Sequence, residues 1–221
     1  MDEPRFIDLD FDRLSPDEML DRARALLDRM WSRRSVRTFA TEPVDRELIE
    51  AALRIASSAP SGAHLQPWTW VVVTDPDLKR RLRAAAEEEE RAFYEERAPE
   101  EWLEALAPLG TDEVKTHLTD APYVVVLFRH RYELTEDGRK RRNYYSAESC
   151  GIAAGFFIAA VHLMGLATLP HTPSPMGFLS ELLERPDNEQ AFLVLPVGYP
   201  APGTQVPDIA RKPLSDVVVW R

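Results

Sequence analysis

Apolar positions in this chain follow two spacings, one helical and one extended, and their order sketches the elements. SPDE at Ser15 opens the first helix: Ser15 caps, Pro16 takes the first helical position, and Glu18 completes a capping box, the helix running to about Trp31. Asp45 caps a second, in which Leu48, Ile49, Ala52, Leu53 and Ala56 repeat at helical spacing until APSG stops it. WTWVVV from Trp68 reads as a strand, and the long charged helix after it contains RAAAEEEERAFYEER, residues 83–97. Pro99, Pro108 and Gly110 mark about 91–118 as the segment least tied down. A strand PYVVVLF from Pro122, a solvated loop with Gly138 and RKRR, and a helix from about Tyr144 to Met164 follow. A short strand near Leu166, a helix from about Pro175 to Leu183 and the strand FLVLPVGYP from Phe192 complete the order. The closing DVVVW is apolar and β-branched, so it needs a sheet edge, which a partner subunit can supply. Strands separated by helices, with neither repeat nor linker, indicate one layered α/β or α+β domain over residues 1–221.

Composition narrows the function classes. With 221 residues and 44% apolar content the chain buries a proper core, and a net charge of −10 without a basic tail argues against nucleic acid. The apolar run from Gly151 is interrupted by His162 and reads as a buried core helix plus a strand, not a membrane span. The opening MDEPRFIDLDFD is acidic where a targeting segment is basic then apolar, so a cytoplasmic protein is expected. Cys150 is the one cysteine: an intramolecular disulfide is excluded, and a buried helix thiol is favoured over a catalytic one.

Four short stretches carry candidate chemistry. RRSVR packs Arg33, Arg34 and Arg37 around Ser35 and Val36, and guanidinium forks suit phosphate oxygens; alternatively these arginines only complement a helix end or the many acids. In APSGAHLQPW, Ser61 and Gly62 follow a helix end and expose backbone N–H groups that can approach a flat ligand, or form an ordinary turn. HTPSP around Thr172 and ARKP with Arg211 are weaker alone. Glu90 and Tyr94 are four apart, which puts their Cβ atoms about 6 Å apart on one helix face, where a carboxylate and a phenol can hold one small ligand; the alternative is a solvated face. His64, His117, His130, His162 and His171 show no metal spacing, and neither a nucleophile elbow, a P-loop nor GxGxxG occurs, so no metal, Walker or Rossmann site is expected.

Taken in order, RRSVRTFATEPVDRELIEAAL, SSAPSGAHLQPWTWVVV, FLVLPVGYP and RKPL resemble the nitroreductase family of FMN flavoproteins from Arg33 to Val218. Within that family PSGAH, Glu90, Tyr94, Lys115 and the TP at Thr172 are similar to the iodotyrosine deiodinase branch. The resemblance implies an α+β nitroreductase-like fold: a central, mostly antiparallel sheet flanked by helices, in an intertwined homodimer with FMN at the interface. It further implies a mobile substrate lid at about 91–118 and a C-terminal extension at about 203–221 that crosses to the partner.

By the same resemblance Glu90 takes the ammonium of a halotyrosine, Lys115 and Tyr94 its carboxylate, and the backbone N–H of Ala63 its phenolate. Arg33, Arg34, Ser35, Val36, Arg37 and Arg211 surround the FMN phosphate and the pyrimidine edge of the ring. Ser61 and Gly62 touch the flavin, Pro170 and His171 line its loop, and Thr172 donates to flavin N5. The implied reaction is reductive dehalogenation of mono- and diiodotyrosine to tyrosine plus iodide, with NADPH or a reductase protein as an ultimate electron source that the sequence does not name. Two rivals stand beside it: a general FMN-dependent nitro or quinone reductase, indifferent to Glu90, and a non-catalytic flavin-binding protein.

Overall fold

In the computed structural model, which describes residues 3–221, contacts divide the chain after Arg33 into two compact units. The first holds α1 (Pro16–Trp31), whose capping box forms as expected: Ser15 N donates to the Glu18 carboxylate at 3.0 Å and Ser15 Oγ accepts from Glu18 N. None of its residues is buried in a single copy.

The second unit, Arg34–Arg221, contains α2 (Arg46–Ser57), β1 (Trp68–Val73), α3 (Pro76–Ala92), α4 (Glu100–Leu106), α5 (His117–Asp120), β2 (Tyr123–His130), β3 (Tyr132–Leu134), β4 (Lys140–Arg142), α6 (Ser146–Leu163), β5 (Ala167–Thr168), α7 (Gly177–Leu182) and β6 (Glu189–Gly198). The main sheet has the order β1-β2-β6-β5 with every neighbouring pair antiparallel. Helices cover both faces, and that is why β2 is apolar without alternation. Val124, Val126 and Phe128 pack with Leu82 of α3, Leu118 of α5 and Leu179 of α7, whereas Val125 joins Ile49 and Ala52 of α2 and Phe157 of α6. Phe157 also stacks on Trp70 with ring centroids 5.3 Å apart.

The apolar run from Gly151 is largely α6, the one helix among the described residues long and apolar enough to cross a membrane. It serves as a core helix here, burying Cys150, Ala153, Phe157 and Val161, while Ile152, Phe156 and Leu163 stay exposed.

Two expectations change. RKRR is not a loop: Lys140–Arg142 pair with Tyr132–Leu134 in an exposed two-stranded ribbon, where Lys140 lies 4.5 Å over the Tyr132 ring and the cation–π contact favours pairing. β6 starts at Glu189 rather than Phe192, because Glu189, held by Arg185 at 2.7 and 2.9 Å and by Thr69 at 2.8 Å, is a buried polar residue that hydropathy does not flag as strand. DVVVW starts within a 3₁₀ turn at Leu214–Asp216, and Val217, Val219 and Trp220 are exposed.

Candidate functional site

The run of four glutamates splits into separate jobs. Glu87 accepts from Arg83 at 2.7 Å and from the backbone N–H of Lys115 at 2.8 Å, fixing the chain where it returns to the sheet. Glu88 is exposed to solvent. Glu89 receives Arg97 at its carbonyl (2.7 Å) and its carboxylate (2.9 Å), which folds the π turn Phe93–Arg97 back onto α3. Glu90 lines the cavity that Tyr94 and Lys115 share. The segment expected to be least tied down is therefore mostly helical, and its C-terminal end is fixed in the core, with Lys115, His117 and Leu118 buried.

That cavity, of about 320 Å³, is lined by Arg37, Glu90, Tyr94, Lys115, Pro170, His171 and Thr172, together with Phe93, Trp102 and His117. Glu90 and Tyr94 share a face as their spacing requires. Lys115 Nζ lies 3.1 Å from Glu90 Oε2, 5.9 Å over the Tyr94 ring, and donates to the Asp112 carbonyl. Burial works to raise the Glu90 carboxyl, but the hydrogen bond from His171 and the charge of Lys115 outweigh it and hold it below the ordinary glutamate value, so it is ionised. The Tyr94 phenol, which donates to the Thr111 carbonyl at 3.4 Å, is pushed up chiefly by burial and keeps its proton. The result is a half-buried anion and a buried cation side by side, with a neutral phenol next to them.

His171 connects this side of the cavity to the sheet. Its backbone exchanges two 2.9 Å hydrogen bonds with Val194 of β6, its Nε2 lies 3.3 Å from Glu90 Oε1, and its Nδ1 lies 3.4 Å from Nε2 of buried His117. Thr172 follows with its side chain exposed, lining both this cavity and a wider cleft of about 810 Å³ with Arg131, Met176 and Arg185.

The arginine motif runs beside β5: Ser35 bridges Thr168 in parallel, Val36 N donates to the Thr168 carbonyl at 3.3 Å, and Val36 is buried. The Arg34 guanidinium donates to the Pro207 carbonyl, tying the motif to the tail that carries exposed Arg211. Arg33 lies in the N-terminal unit, where its N–H caps the end of α1 at the Met30 carbonyl.

A single chain does not bring Ser61, Gly62 and Ala63 to the cavity. Their turn packs on the start of α6, where Gly62 N donates to Ser149 Oγ at 3.3 Å and a Cβ on Gly62 would meet the Tyr144 carbonyl at 3.1 Å. Ala63, His64 and Gln66 all take left-handed backbone angles, φ 50°, 55° and 48°. Such residues cost on the order of 1 kcal/mol each, and strain of this kind clusters at binding sites.

The Nitroreductase family matches residues 31–199. The chain belongs to the nitroreductase family. Iodotyrosine deiodinase of Haliscomenobacter hydrossis is 50% identical over 217 residues, covering 98% of this chain and 98% of that one. Iodotyrosine deiodinase of Drosophila melanogaster is 46% identical over 200 residues, 89% of this chain and 70% of its own. A crystal structure of oxidized iodotyrosine deiodinase bound to FMN and 3-iodo-L-tyrosine has a TM-score of 0.75 at 30% identity, across 89% of this chain and 97% of that one. The nitroreductase-like α+β fold with its antiparallel sheet is thus the fold anticipated from the sequence.

Sequence reasoning identified Glu90, Tyr94, Lys115, Arg37, Pro170, His171 and Thr172, which share one cavity. It missed Glu87, Glu89 and His117. Glu87 has a local signal, standing at i+4 from Arg83; Glu89 depends on a π turn that folds Arg97, eight residues on, back to it, and His117 on His171, 54 positions away.

Proposed function

We propose that this member of the nitroreductase family is an FMN-dependent reductive dehalogenase of halotyrosines, converting mono- and diiodotyrosine to tyrosine plus iodide. The carrying observation is the Glu90–Lys115 pair beside Tyr94 at the cavity: two opposite charges 3.1 Å apart offer one point to an ammonium and one to a carboxylate. A nitro or quinone reductase has no use for such a zwitterion handle.

The residues fit FMN. Thr168 Oγ1 is buried without a hydrogen-bond partner next to Ser35, leaving a polar group beside the arginine motif for a ligand to satisfy, and Arg37 lines the cavity. In this reading Arg34, Arg37 and Arg211, with Ser35 and Val36, hold the phosphate and the pyrimidine edge, Pro170 and His171 line the ring, and Thr172 donates to N5. FMN, when bound, supplies the electrons that replace a carbon–iodine bond by carbon–hydrogen. The chain itself orients the substrate: Glu90 holds the ammonium, Lys115 and Tyr94 the carboxylate, and the lid at about 91–118 excludes water, which strengthens both contacts.

The phenolate is received by the backbone N–H of Ala63, from the strained turn of a second copy of the chain. A homodimer also gives cover to Ile152, Phe156 and Leu163 on α6 and an edge to Val217, Val219 and Trp220. The ultimate electron source is NADPH or a reductase protein, and the compartment is the cytoplasm.

The test is anaerobic reduction of the FMN-loaded protein with dithionite, followed by diiodotyrosine and assay of tyrosine against free reduced flavin. Turnover above that control is expected; none, with flavin bound, would leave the general reductase as the better reading. Sedimentation of the flavin-loaded protein checks the dimer, and a monomer with tightly bound flavin would refute it.

A further inference from the structure

Resting on that reading, we infer that His171, backed by His117, is a positioning residue that sets which oxygen of Glu90 meets the substrate ammonium. The two carboxylate oxygens are already divided: Oε1 is 3.3 Å from His171 Nε2 and Oε2 is 3.1 Å from Lys115 Nζ. Only Oε2 faces a group that a zwitterionic ligand would replace with its own ammonium when its carboxylate draws Lys115 away. Oε1 stays engaged throughout, so the carboxylate cannot swing with the ligand.

The direction of the hydrogen bonds follows from the chemistry of the acceptor. An ionised carboxylate only accepts, so the proton of the contact sits on His171 Nε2. Nδ1 of His171 meets Nε2 of His117 across 3.4 Å, the tautomer of the pair deciding which ring donates. His117 is buried at 4% exposure and its basicity is driven down by that burial and by the cations around it, so it stays neutral. His117 belongs to α5, His171 to the loop after β5 pinned to Val194, and Glu90 to the end of α3. The relay thus references the Glu90 carboxylate to the sheet and to the loop that continues into Thr172, holding the amino-acid end of the substrate at a set distance from the reacting ring.

The experiment compares FMN-loaded wild type, His171→Leu, His171→Gln and His117→Phe by flavin-fluorescence titration with diiodotyrosine and with its des-amino analogue, 3-(4-hydroxy-3,5-diiodophenyl)propanoate. The readout is the ratio of the two dissociation constants, together with KM and kcat for diiodotyrosine. In His171→Leu the ratio is expected to fall roughly tenfold, the worth of one hydrogen bond to a charged group, and KM to rise by more than kcat falls. His171→Gln, whose amide donor occupies the place of Nε2, should recover most of the ratio, and His117→Phe should lose a smaller part of it. A ratio unchanged in His171→Leu, or lost equally in the Leu and Gln variants, would overturn the inference while leaving wild-type dehalogenation standing. A wild type that binds both ligands alike would overturn the inference and the zwitterion reading together.

Discussion

Acidification from pH 7 to pH 5 is expected to cost this protein about 2 kcal/mol of stability through His117 alone. The imidazole is 4% exposed, and burial, then the neighbouring His171, Lys115, Arg37 and Arg83, push its pKa down to about 3. An unfolded histidine titrates near about 6.5. Between those values the unfolded chain binds a proton that the folded chain does not. Stability is therefore full above the unfolded value and falls as the pH drops below it, with the loss complete only near the folded value. By pH 5 the unfolded imidazole is almost fully protonated, and integration from pH 7 gives the figure of about 2 kcal/mol, which barely changes if the folded value lies anywhere well below 5. The carboxylates with depressed values, Glu87, Glu90, Glu133 and Glu189, lose their contributions at lower pH, as the medium passes down through the ordinary carboxylate range, so this window belongs to the histidine. Urea unfolding at pH 7, 6 and 5, at fixed protein and flavin concentration, would compare wild type with His117→Gln, which has no proton to gain. The Gln variant should lose about 2 kcal/mol less than wild type between pH 7 and 5. Parallel losses in the two proteins would refute the placement of a neutral, buried imidazole at this position.

Other perturbations probe the site and the core. Glu90→Gln removes the carboxylate and leaves Lys115 as a buried cation without its partner, so diiodotyrosine affinity measured by fluorescence titration should fall roughly 10- to 100-fold; an unchanged affinity would favour the general reductase. Phe157→Ala empties a fully buried site that stacks on Trp70, and should lower urea stability by about 3–5 kcal/mol. Gly198→Ala would put a Cβ 2.6 Å from Pro122 Cδ, so β6 and the start of β2 must separate; a loss of about 1–3 kcal/mol is expected, and a neutral result would mean that the pair adjusts freely.

The fold was largely legible because its signals are local. The capping box at Ser15, the Asp45 cap and the apolar run of β2 each state their element within a few residues. What escaped depends on distant partners. Hydropathy around Glu189 announces no strand, since its burial is made tolerable by Arg185, four positions back, and by Thr69, 120 positions away. The four consecutive glutamates are chemically identical in the sequence, and only the returning Lys115, the folded-back Arg97 and the loop histidine tell Glu87, Glu89 and Glu90 apart. His117 stood out in no pattern because a neutral relay has no spacing rule. The strain at Ala63, His64 and Gln66 was equally silent, as none of them is the residue type that left-handed backbone normally selects.

The Glu90–Lys115 pair also explains why a zwitterion is the ligand that suits this cavity. Both side chains are largely withdrawn from water, at 13% and 5% exposure, so each charge carries a desolvation cost that only an opposite charge nearby can offset. Within the chain they offset one another. A ligand with an ammonium and a carboxylate adds one charge of each sign, so both protein groups can change partner without leaving either uncompensated. A ligand carrying only the carboxylate, such as the des-amino analogue, must compete with Glu90 for Lys115 and leaves a buried anion behind. A ligand carrying only the amine strands the lysine instead. Selection for an amino acid over its one-armed analogues then comes from the penalty imposed on the wrong ligand as much as from contacts made to the right one.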